Sequence, residues 1–349
     1  MATIHKNFKF QNVYNRFNLF YAYLTKKSII KGLPNIFIIE TTNDCNKNCL
    51  VCVHKNMTRP VGYMEFELFK EIIDQIYLSE LVFPFFLGES LLHKDIYKMI
   101  SYCKQKKLFC SLFTNGTLLN DEESRNIISS GLDHLQISLN AVEEPIYKDI
   151  DPSCTFRFEQ TIENIDRFLA INKRAVLTTI SILSIEANNK KWEETISYWK
   201  RKGIDVRFKP FVDWNSNDES IKKFGKPIEC KRNQVFPCDW LWRQFHILWD
   251  GRVVPCCFDY DGEYILGDVT NNSIREIWNN EKYAGLRGAH LKNNKKISLC
   301  EKCRRRKISM MEIPFLILTG AFTALNLRLS YEKKPNFLGN KIHGTDKTY

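Results

Sequence analysis

The chain has 349 residues, of which 44% are hydrophobic and 26% charged, and this balance excludes a disordered or fibrous protein. The N-terminus lacks a secretory signal pattern, and no apolar run is long enough to span a bilayer, so we expect a cytoplasmic protein. Its 12 cysteines then indicate metal binding or catalysis rather than disulfides. The net charge of +11 allows an anionic partner, but no basic face can be located, and we expect no nucleic-acid partner.

The predicted elements alternate between short β-rich runs and longer helical patterns. The predicted strands cover 36–40, 81–86, 108–113, 134–139, 176–183 and 205–211. The predicted helices cover 65–78, 94–106, 121–130, 156–172 and 190–202. Strands separated by helices indicate a parallel sheet with right-handed crossovers. An open doubly wound sheet and a full or partial barrel both satisfy this alternation.

The pattern changes outside this alternating region. Residues 228–308 are rich in Cys and Trp, and we expect a small second domain that metal stabilises more than a large core does. Residues 1–34 form a predicted N-terminal helical extension, and residues 311–349 form a C-terminal extension with an apolar run at 314–329. One interpretation is that both ends cover the main domain, and the other is a shared surface that contacts a membrane peripherally.

A first group of cysteines follows the first predicted strand, with Cys45, Cys49 and Cys52 in a C-x₃-C-x₂-C spacing. Sites of parallel sheets and α/β barrels lie at the carboxyl ends of their strands. Three thiolates can bind three irons of a cubane cluster and leave the fourth iron open. A zinc site that recruits His54 as its fourth ligand is the alternative on these residues alone.

A second group of cysteines consists of Cys238, Cys256, Cys300 and Cys303. Gly251 precedes Cys256 in a segment that predicts a hairpin, with the cysteine presented by its second strand. Four thiolates suit either a fully ligated [4Fe–4S] cluster or a structural zinc ion.

The first cysteine triplet and three later motifs together resemble the radical S-adenosylmethionine (SAM) superfamily. The later motifs follow the second, third and fourth predicted strands, in the order Gly88 and Glu89, then Thr114, Asn115 and Gly116, then Ser138 and Asn140. The combination is much more specific than any one motif. Leu87, Ser90 and Val51 depart from residues that the family often has at these places.

The resemblance implies an α/β fold, an incomplete (β/α)6 barrel over residues 35–212. Cys45, Cys49 and Cys52 would bind a [4Fe–4S] cluster, and SAM would chelate the open iron. Glu89 would accept a hydrogen bond from the SAM ammonium group, and Gly88 would let the backbone approach closely. The complete set of residues expected to bind SAM is Gly88, Glu89, Thr114, Asn115, Ser138 and Asn140.

Residues 213–310 resemble the SPASM/twitch extension of radical SAM enzymes. The resemblance implies that Cys238, Cys256, Cys300 and Cys303 bind one auxiliary [4Fe–4S] cluster, because no cysteine follows Cys303. Cys257 competes with Cys256, and the Gly-x₄-Cys spacing favours Cys256.

The resemblance also implies the chemistry. A flavodoxin- or ferredoxin-type donor would supply an electron, and SAM would be cleaved to a 5′-deoxyadenosyl radical that abstracts a hydrogen atom. We expect a two-electron oxidation, or an epimerisation, of a small polar metabolite or sugar. The alternatives are a maturase that modifies a peptide or protein and, in another class, a zinc-stabilised nucleic-acid-binding module. The catalytic acid or base is not assigned.

Overall fold

The computed structural model describes residues 10–212, 214, 219–225, 237–292, 297–301 and 303. The first nine residues and the predicted C-terminal extension, with its apolar run, lie outside the described residues. Among the helices that are described, none is long and apolar enough to cross a membrane.

The described elements match the predicted alternation closely. The strands are β1 (Ile36–Ile39), β2 (Leu81–Phe83), β3 (Phe109–Thr114), β4 (His134–Asn140), β5 (Leu177–Ser184), β6 (Asp205–Pro210), β7 (Gln244–Ile247), β8 (Arg252–Val254) and β9 (Gly267–Asp268). The helices are α1 (Phe10–Leu24), α2 (Phe66–Gln75), α3 (Ile96–Gln105), α4 (Asp121–Ser129), α5 (Glu144–Ile150), α6 (Phe158–Asn172), α7 (Glu186–Asn189), α8 (Trp192–Arg201), α9 (Ile274–Trp278), α10 (Glu281–Leu291) and α11 (Ser298–Glu301).

One sheet runs through the described part of the chain, in the order β6-β5-β4-β3-β2-β1-β7-β8-β9. Strands β1 to β6 are parallel and stand side by side in their chain order. In a doubly wound sheet the order of successive strands reverses at a switch point. The order of β1 to β6 does not reverse, so the winding is that of a barrel, one of the two possibilities that the sequence left open. The described strands end at β6 and β9 without closing, and the predicted incomplete α/β barrel is confirmed.

The two faces of this sheet differ in polarity. Apolar side chains such as Leu112 on β3 and Ile180 on β5 belong to the main hydrophobic core, against the helices. Each buried Leu or Ile of this kind stabilises the fold by about 1.5–3 kcal/mol. Side chains alternate along a strand, so Ser111 and Phe113 on β3 and Ser181 on β5 lie on the opposite face.

The sheet curls around this second face. The Lys209 Nζ atom on β6 lies 5.0 Å from the ring centre of Phe113 on β3. Three strand spacings separate β6 from β3, which amounts to about 14 Å in a flat sheet. The short contact therefore shows that the face is concave, and we call it the concave face.

The C-terminal strands extend the same sheet. β7 pairs in parallel with β1, and β8 returns antiparallel to β7 across a turn in which Gly251 has a φ of +91°. Trp278 and Tyr283 are fully buried in the core that also contains the barrel residues. The predicted hairpin is confirmed, and pairing with β1 gives the C-terminal residues a core that they share with the barrel residues. The expected second domain, stabilised more by metal than by a large core, stays a prediction. The predicted boundaries near 34, 212 and 310 stay predictions.

Candidate active site

The loop after β1 carries the first three cysteines. Cys45, Cys49 and Cys52 are all half-buried there. The backbone N–H of Asn48 donates to Asp151 Oδ2 at 3.0 Å, and that of Leu50 donates to the Ile150 carbonyl at 2.7 Å. The C-terminal end of α5 therefore anchors the middle of the cysteine loop.

The three thiols are close enough to influence one another electrostatically. Burial and, to a smaller extent, the charges of Glu89 and Cys52 raise the pKa of Cys45 to about 12. Burial also raises the pKa of Cys49, while the Lys47 ammonium group acts in the opposite direction. These thiols are therefore neutral unless a bound cation draws off their protons, as thiolate-bound metals do.

The donor set fits a cluster with an open iron. Three thiols from one loop face the carboxyl edge of the sheet, with a buried carboxylate, Glu89, beside them. Within the described ranges, no three His, Cys, Asp or Glu side chains converge on a single-ion position. His54, considered as a zinc ligand, places its Nε2 atom 2.7 Å from the Asn43 carbonyl oxygen inside the same loop.

Gly88 lies directly against the cysteine loop. Its φ is +84°, and a Cβ atom added to it would lie 2.5 Å from the Asp44 carbonyl oxygen and 2.9 Å from the Thr42 carbonyl oxygen. The next residue, Glu89, donates its backbone N–H to Asp44 at 2.7 Å. The backbone that approaches Gly88 in the structure is the cysteine loop itself, and the expected approach to SAM stays a prediction.

A hydrogen-bond network joins Glu89 to the end of β3 and back to the loop. Glu89 is 1% exposed, and its carboxylate accepts the backbone N–H groups of Leu91 at 3.2 Å and Asn115 at 2.6 Å. Asn115 donates from its side chain to Asn46 Oδ1 at 2.8 Å, and Asn46 donates to Thr117 at 2.9 Å. Burial raises the pKa of Glu89 to about 7. The network holds this carboxylate in one orientation.

The remaining residues expected to bind SAM lie at the same edge of the sheet. Thr114 is buried, and its hydroxyl accepts the Gly116 N–H at 3.1 Å. Ser138 and Asn140 are half-buried and flank a bulge in β4, where Asn140 has a φ of +62°. Asparagine tolerates this left-handed conformation better than most residues. The structure brings the four motifs to one edge, while their contacts with SAM stay predictions.

The second cysteine group lies beyond the β7–β8 hairpin. Burial raises the pKa of Cys256, and the thiols of Cys257, Cys238 and Cys300 raise it further, so these four are neighbours. The Cys303 backbone N–H donates to the Cys300 carbonyl at 3.3 Å, which closes the C-x₂-C turn. Cys257 also packs against a small apolar cluster, the bridging cluster, whose buried members are Val53, Phe86, Leu87, Leu248 and Val254. This additional apolar contact favours Cys256 as the ligand.

An ion pair that sequence reasoning missed joins the two cysteine regions. Arg59, from the segment after the cysteine loop, binds both carboxylate oxygens of Glu40 at 2.9 and 2.8 Å. The backbone N–H of Trp249 in the β7–β8 turn also donates to Glu40 at 3.2 Å, and Arg59 donates to the Tyr260 carbonyl at 2.7 Å. Both charged side chains are almost fully buried. No local signal could have revealed the pair, because its partners are brought together only by the sheet.

Two family profiles match this chain. The sequence profile of the radical SAM superfamily matches residues 39–199, and the profile of an iron–sulfur cluster-binding domain, SPASM, matches residues 238–304. The chain belongs to the radical SAM superfamily and carries a C-terminal SPASM domain. It is therefore an enzyme that uses a [4Fe–4S] cluster and SAM, with auxiliary iron–sulfur in the SPASM domain.

Two curated relatives show how far this similarity extends. A tungsten-containing aldehyde ferredoxin oxidoreductase cofactor-modifying protein of Pyrococcus furiosus is 23% identical over 295 residues, covering 71% of this chain and 82% of that protein. A GTP 3',8-cyclase of Staphylococcus epidermidis is 27% identical over 204 residues, covering 53% of this chain and 58% of the cyclase. The match to the cyclase thus spans little more than half of its length.

Two solved structures share the fold. BtrN in complex with AdoMet and 2-DOIA has a TM-score of 0.55 and 16% identity, covering 78% of this chain and 94% of BtrN. Streptococcus suis SuiB bound to the precursor peptide SuiA has a TM-score of 0.61 and 15% identity, covering 82% of this chain and 74% of SuiB. At these identities the likeness establishes the architecture and not the substrate.

Proposed function

We propose that this chain removes a hydrogen atom from a small polar metabolite or sugar and completes its two-electron oxidation or its epimerisation. Cys45, Cys49 and Cys52 hold the SAM-binding cluster, and one auxiliary [4Fe–4S] cluster is bound by Cys238, Cys256, Cys300 and Cys303. When bound, these groups supply one-electron chemistry, in which SAM yields a 5′-deoxyadenosyl radical and the auxiliary cluster accepts an electron.

The observation that carries the proposal is the packing of Gly88 and Glu89 on the cysteine loop. It fixes a buried carboxylate beside three thiols, and a carboxylate there can accept a hydrogen bond from an ammonium group such as that of SAM. Asn115 and Asn46 hold this carboxylate in position.

The bridging cluster supports a dry reaction space between the two cysteine groups. Val53 adjoins Cys52 in the chain, and Cys257 packs against the same apolar side chains. Exclusion of water protects a reactive intermediate from side reactions. Oxidation at a position between the two cysteine groups is therefore the chemistry that we favour.

The main alternative within the family is a maturase that modifies a peptide or protein. The relatives include proteins named for cofactor modification and for nucleotide cyclisation, so the substrate class of this chain rests on the proposal alone. The family match favours a radical SAM enzyme over the zinc-stabilised nucleic-acid-binding module. Electron delivery by a flavodoxin- or ferredoxin-type protein and peripheral membrane contact through the two ends stay predictions.

The function can be tested by anaerobic reconstitution. The protein should bind about eight irons, the sum for two cubanes, and should form 5′-deoxyadenosine from SAM and dithionite. The C45A/C49A/C52A variant should keep about four irons and form none, while Cys103→Ala, at a buried cysteine on α3, should behave as the wild type. Retention of all the iron by the triple variant would contradict the ligand assignment.

The substrate class can be tested by following deuterium transfer into 5′-deoxyadenosine. A deuterated candidate metabolite should pass its label to 5′-deoxyadenosine when the reacting position is the labelled one. A mass decrease in an added peptide, with no label transfer from any small metabolite, would favour the maturase instead.

A further inference from the structure

Two cations stand side by side on the concave face of the sheet. Arg207 and Lys209 are two residues apart on β6, and the residues next to them, Val206 and Phe208, pack toward the helix-side core. The Phe208 ring centre lies 3.8 Å from that of Trp192 at the start of α8. Because side chains alternate along a strand, Arg207 and Lys209 point away from the helices into the concavity.

Contacts from other strands confirm this orientation. The Lys209 Nζ atom lies over the ring of Phe113, which is itself stacked 4.7 Å from Phe85. The charge of Arg207 contributes to lowering the pKa of His134, a buried residue of β4. The two cations therefore lie on the concave face at the sheet edge formed by β6, where Arg207 is exposed and Lys209 is half-buried.

The cations lack a compensating anion in the part of the chain that the structure describes. Neither forms an ion pair with a described residue, and the nearest acid in the strand, Asp205, influences Arg207 without an ion-pair contact. Burial and, to a smaller extent, the positive charge of Arg207 lower the pKa of Lys209 to about 8. The two like charges repel each other, and an anion bound between them would offset this repulsion.

Two buried polar side chains on the same face of the sheet also lack hydrogen-bond partners among the described residues. Ser181, the register partner of Arg207 on β5, is fully buried, and its hydroxyl forms no hydrogen bond. Gln136 on β4 is 4% exposed, and its side-chain Nε2 has no acceptor. Buried groups of this kind are normally satisfied, and each of these two side chains has a donor free to hydrogen-bond a ligand oxygen.

We propose that Arg207, Lys209, Ser181 and Gln136 form an anion subsite, which binds a phosphate or carboxylate group of the small substrate. A guanidinium group binds either anion through two parallel hydrogen bonds, and an ammonium group adds a point charge. The subsite rests on the proposed function, because it takes the concave face as the side on which the substrate binds. It specifies that the metabolite is an acid or a phosphate ester rather than a neutral sugar.

The test measures the acetylation rate of Lys209 by mass spectrometry in the reconstituted protein. Inorganic phosphate or succinate, at about four times its dissociation constant, should slow this rate about fivefold. Potassium chloride at the same ionic strength should leave it unchanged, as should either anion at Lys98, whose side chain is 71% exposed. The more protective of the two anions distinguishes a phosphate site from a carboxylate site.

A matched pair of variants tests the role of the guanidinium group. Arg207→Gln should abolish the protection, whereas Arg201→Gln, on the exposed end of α8, should keep it. Equal acetylation with and without both anions in the wild type would overturn the subsite, and this result does not depend on how either variant folds. Protection by SAM alone would also overturn it, because the cations would then hold the SAM carboxylate.

Measurements on the same reconstituted protein distinguish failure of the anion subsite from failure of the proposed function. Formation of 5′-deoxyadenosine without anion protection refutes the subsite and leaves the radical chemistry intact. Anion protection in a protein that binds eight irons but never cleaves SAM supports the subsite and refutes the function.

Discussion

Gly88 shows how much of the site depends on one residue. The sequence marks it as part of a Gly-Glu motif, and the resemblance to the family assigns it to SAM. The structure gives a more local reason, because the backbone of the cysteine loop occupies the space of a side chain and φ is positive. Glycine is therefore required for the loop itself, whatever else binds there.

Gly88→Ala should prevent the first cluster from assembling. A Cβ atom would overlap the Asp44 carbonyl oxygen, and the left-handed conformation would add about 1–2 kcal/mol of strain. Iron analysis of the reconstituted variant should find about four irons in place of about eight, with no 5′-deoxyadenosine formed.

Gly285→Ala is the control for this prediction. Gly285 lies in α10 with no atom within 4 Å of an added Cβ, so alanine should stabilise the helix by about 0.5–1 kcal/mol and keep the iron. A full iron content in Gly88→Ala would show that the loop can move aside.

At the scale of elements, His134 ties three adjacent strands together. From β4 its Nδ1 atom lies 2.7 Å from the hydroxyl of Ser111 on β3, and its Nε2 atom lies 3.0 Å from that of Thr179 on β5. It is 1% exposed, and burial lowers its pKa to about 3. The histidine is neutral in the folded protein over the physiological range.

This histidine should make the fold sensitive to acid. In the unfolded chain its pKa is about 6.5, so below that pH the unfolded state binds a proton that the folded state does not. Stability is then lost as pH falls from about 6.5 toward 3, by about 2 kcal/mol at pH 5. In urea unfolding at pH 7 and pH 5, His134→Gln should lose about 2 kcal/mol less than the wild type. Equal losses would exclude His134 as the cause.

Strands and helices of the barrel were predictable because their hydrophobic periodicity is local. All six barrel strands and the five predicted helices are present, with small shifts at their ends. Periodicity carries no information on strand order, and a doubly wound sheet remained open until the parallel pairings decided it. The pairing of β7 with β1 was likewise hidden, because about 200 residues separate the two strands.

At the scale of the whole molecule, Glu40 and Arg59 join the barrel to the SPASM region. The carboxylate sits just after β1, its partner follows the cysteine loop, and both reach backbone groups of the C-terminal part. Desolvation raises the pKa of Glu40, and the Arg59 guanidinium opposes this shift. The pair therefore keeps a buried charge compensated where the two regions meet.

Glu40→Gln should be strongly destabilising, because it leaves Arg59 buried without its counter-charge. Removal of one partner of a buried pair costs about 3–5 kcal/mol, measured by urea unfolding of the anaerobically purified protein. Glu186→Gln is the matched control, since its pair with Lys190 is 80% and 72% exposed and should contribute less than about 1 kcal/mol. A similar small effect in both variants would mean that the buried pair is not needed to join the regions.

The sequence by itself determined the class of protein. Cysteine spacing and the motifs at successive strand ends are short-range patterns, and chemistry that depends on neighbouring residues can be recognised in them. The cysteine triplet, Glu89 and the C-terminal cysteines were all located in this way.

Only the tertiary structure decided what depends on distant residues. It showed that Gly88 packs on the cysteine loop, that Cys257 packs against the bridging cluster, and that β6 carries two cations on the concave face. The direction of a side chain follows from which face of the sheet meets the helices, and that choice is made by the packing of the whole chain. The pair of cations that we propose to bind the substrate is therefore recognisable only in the folded sheet.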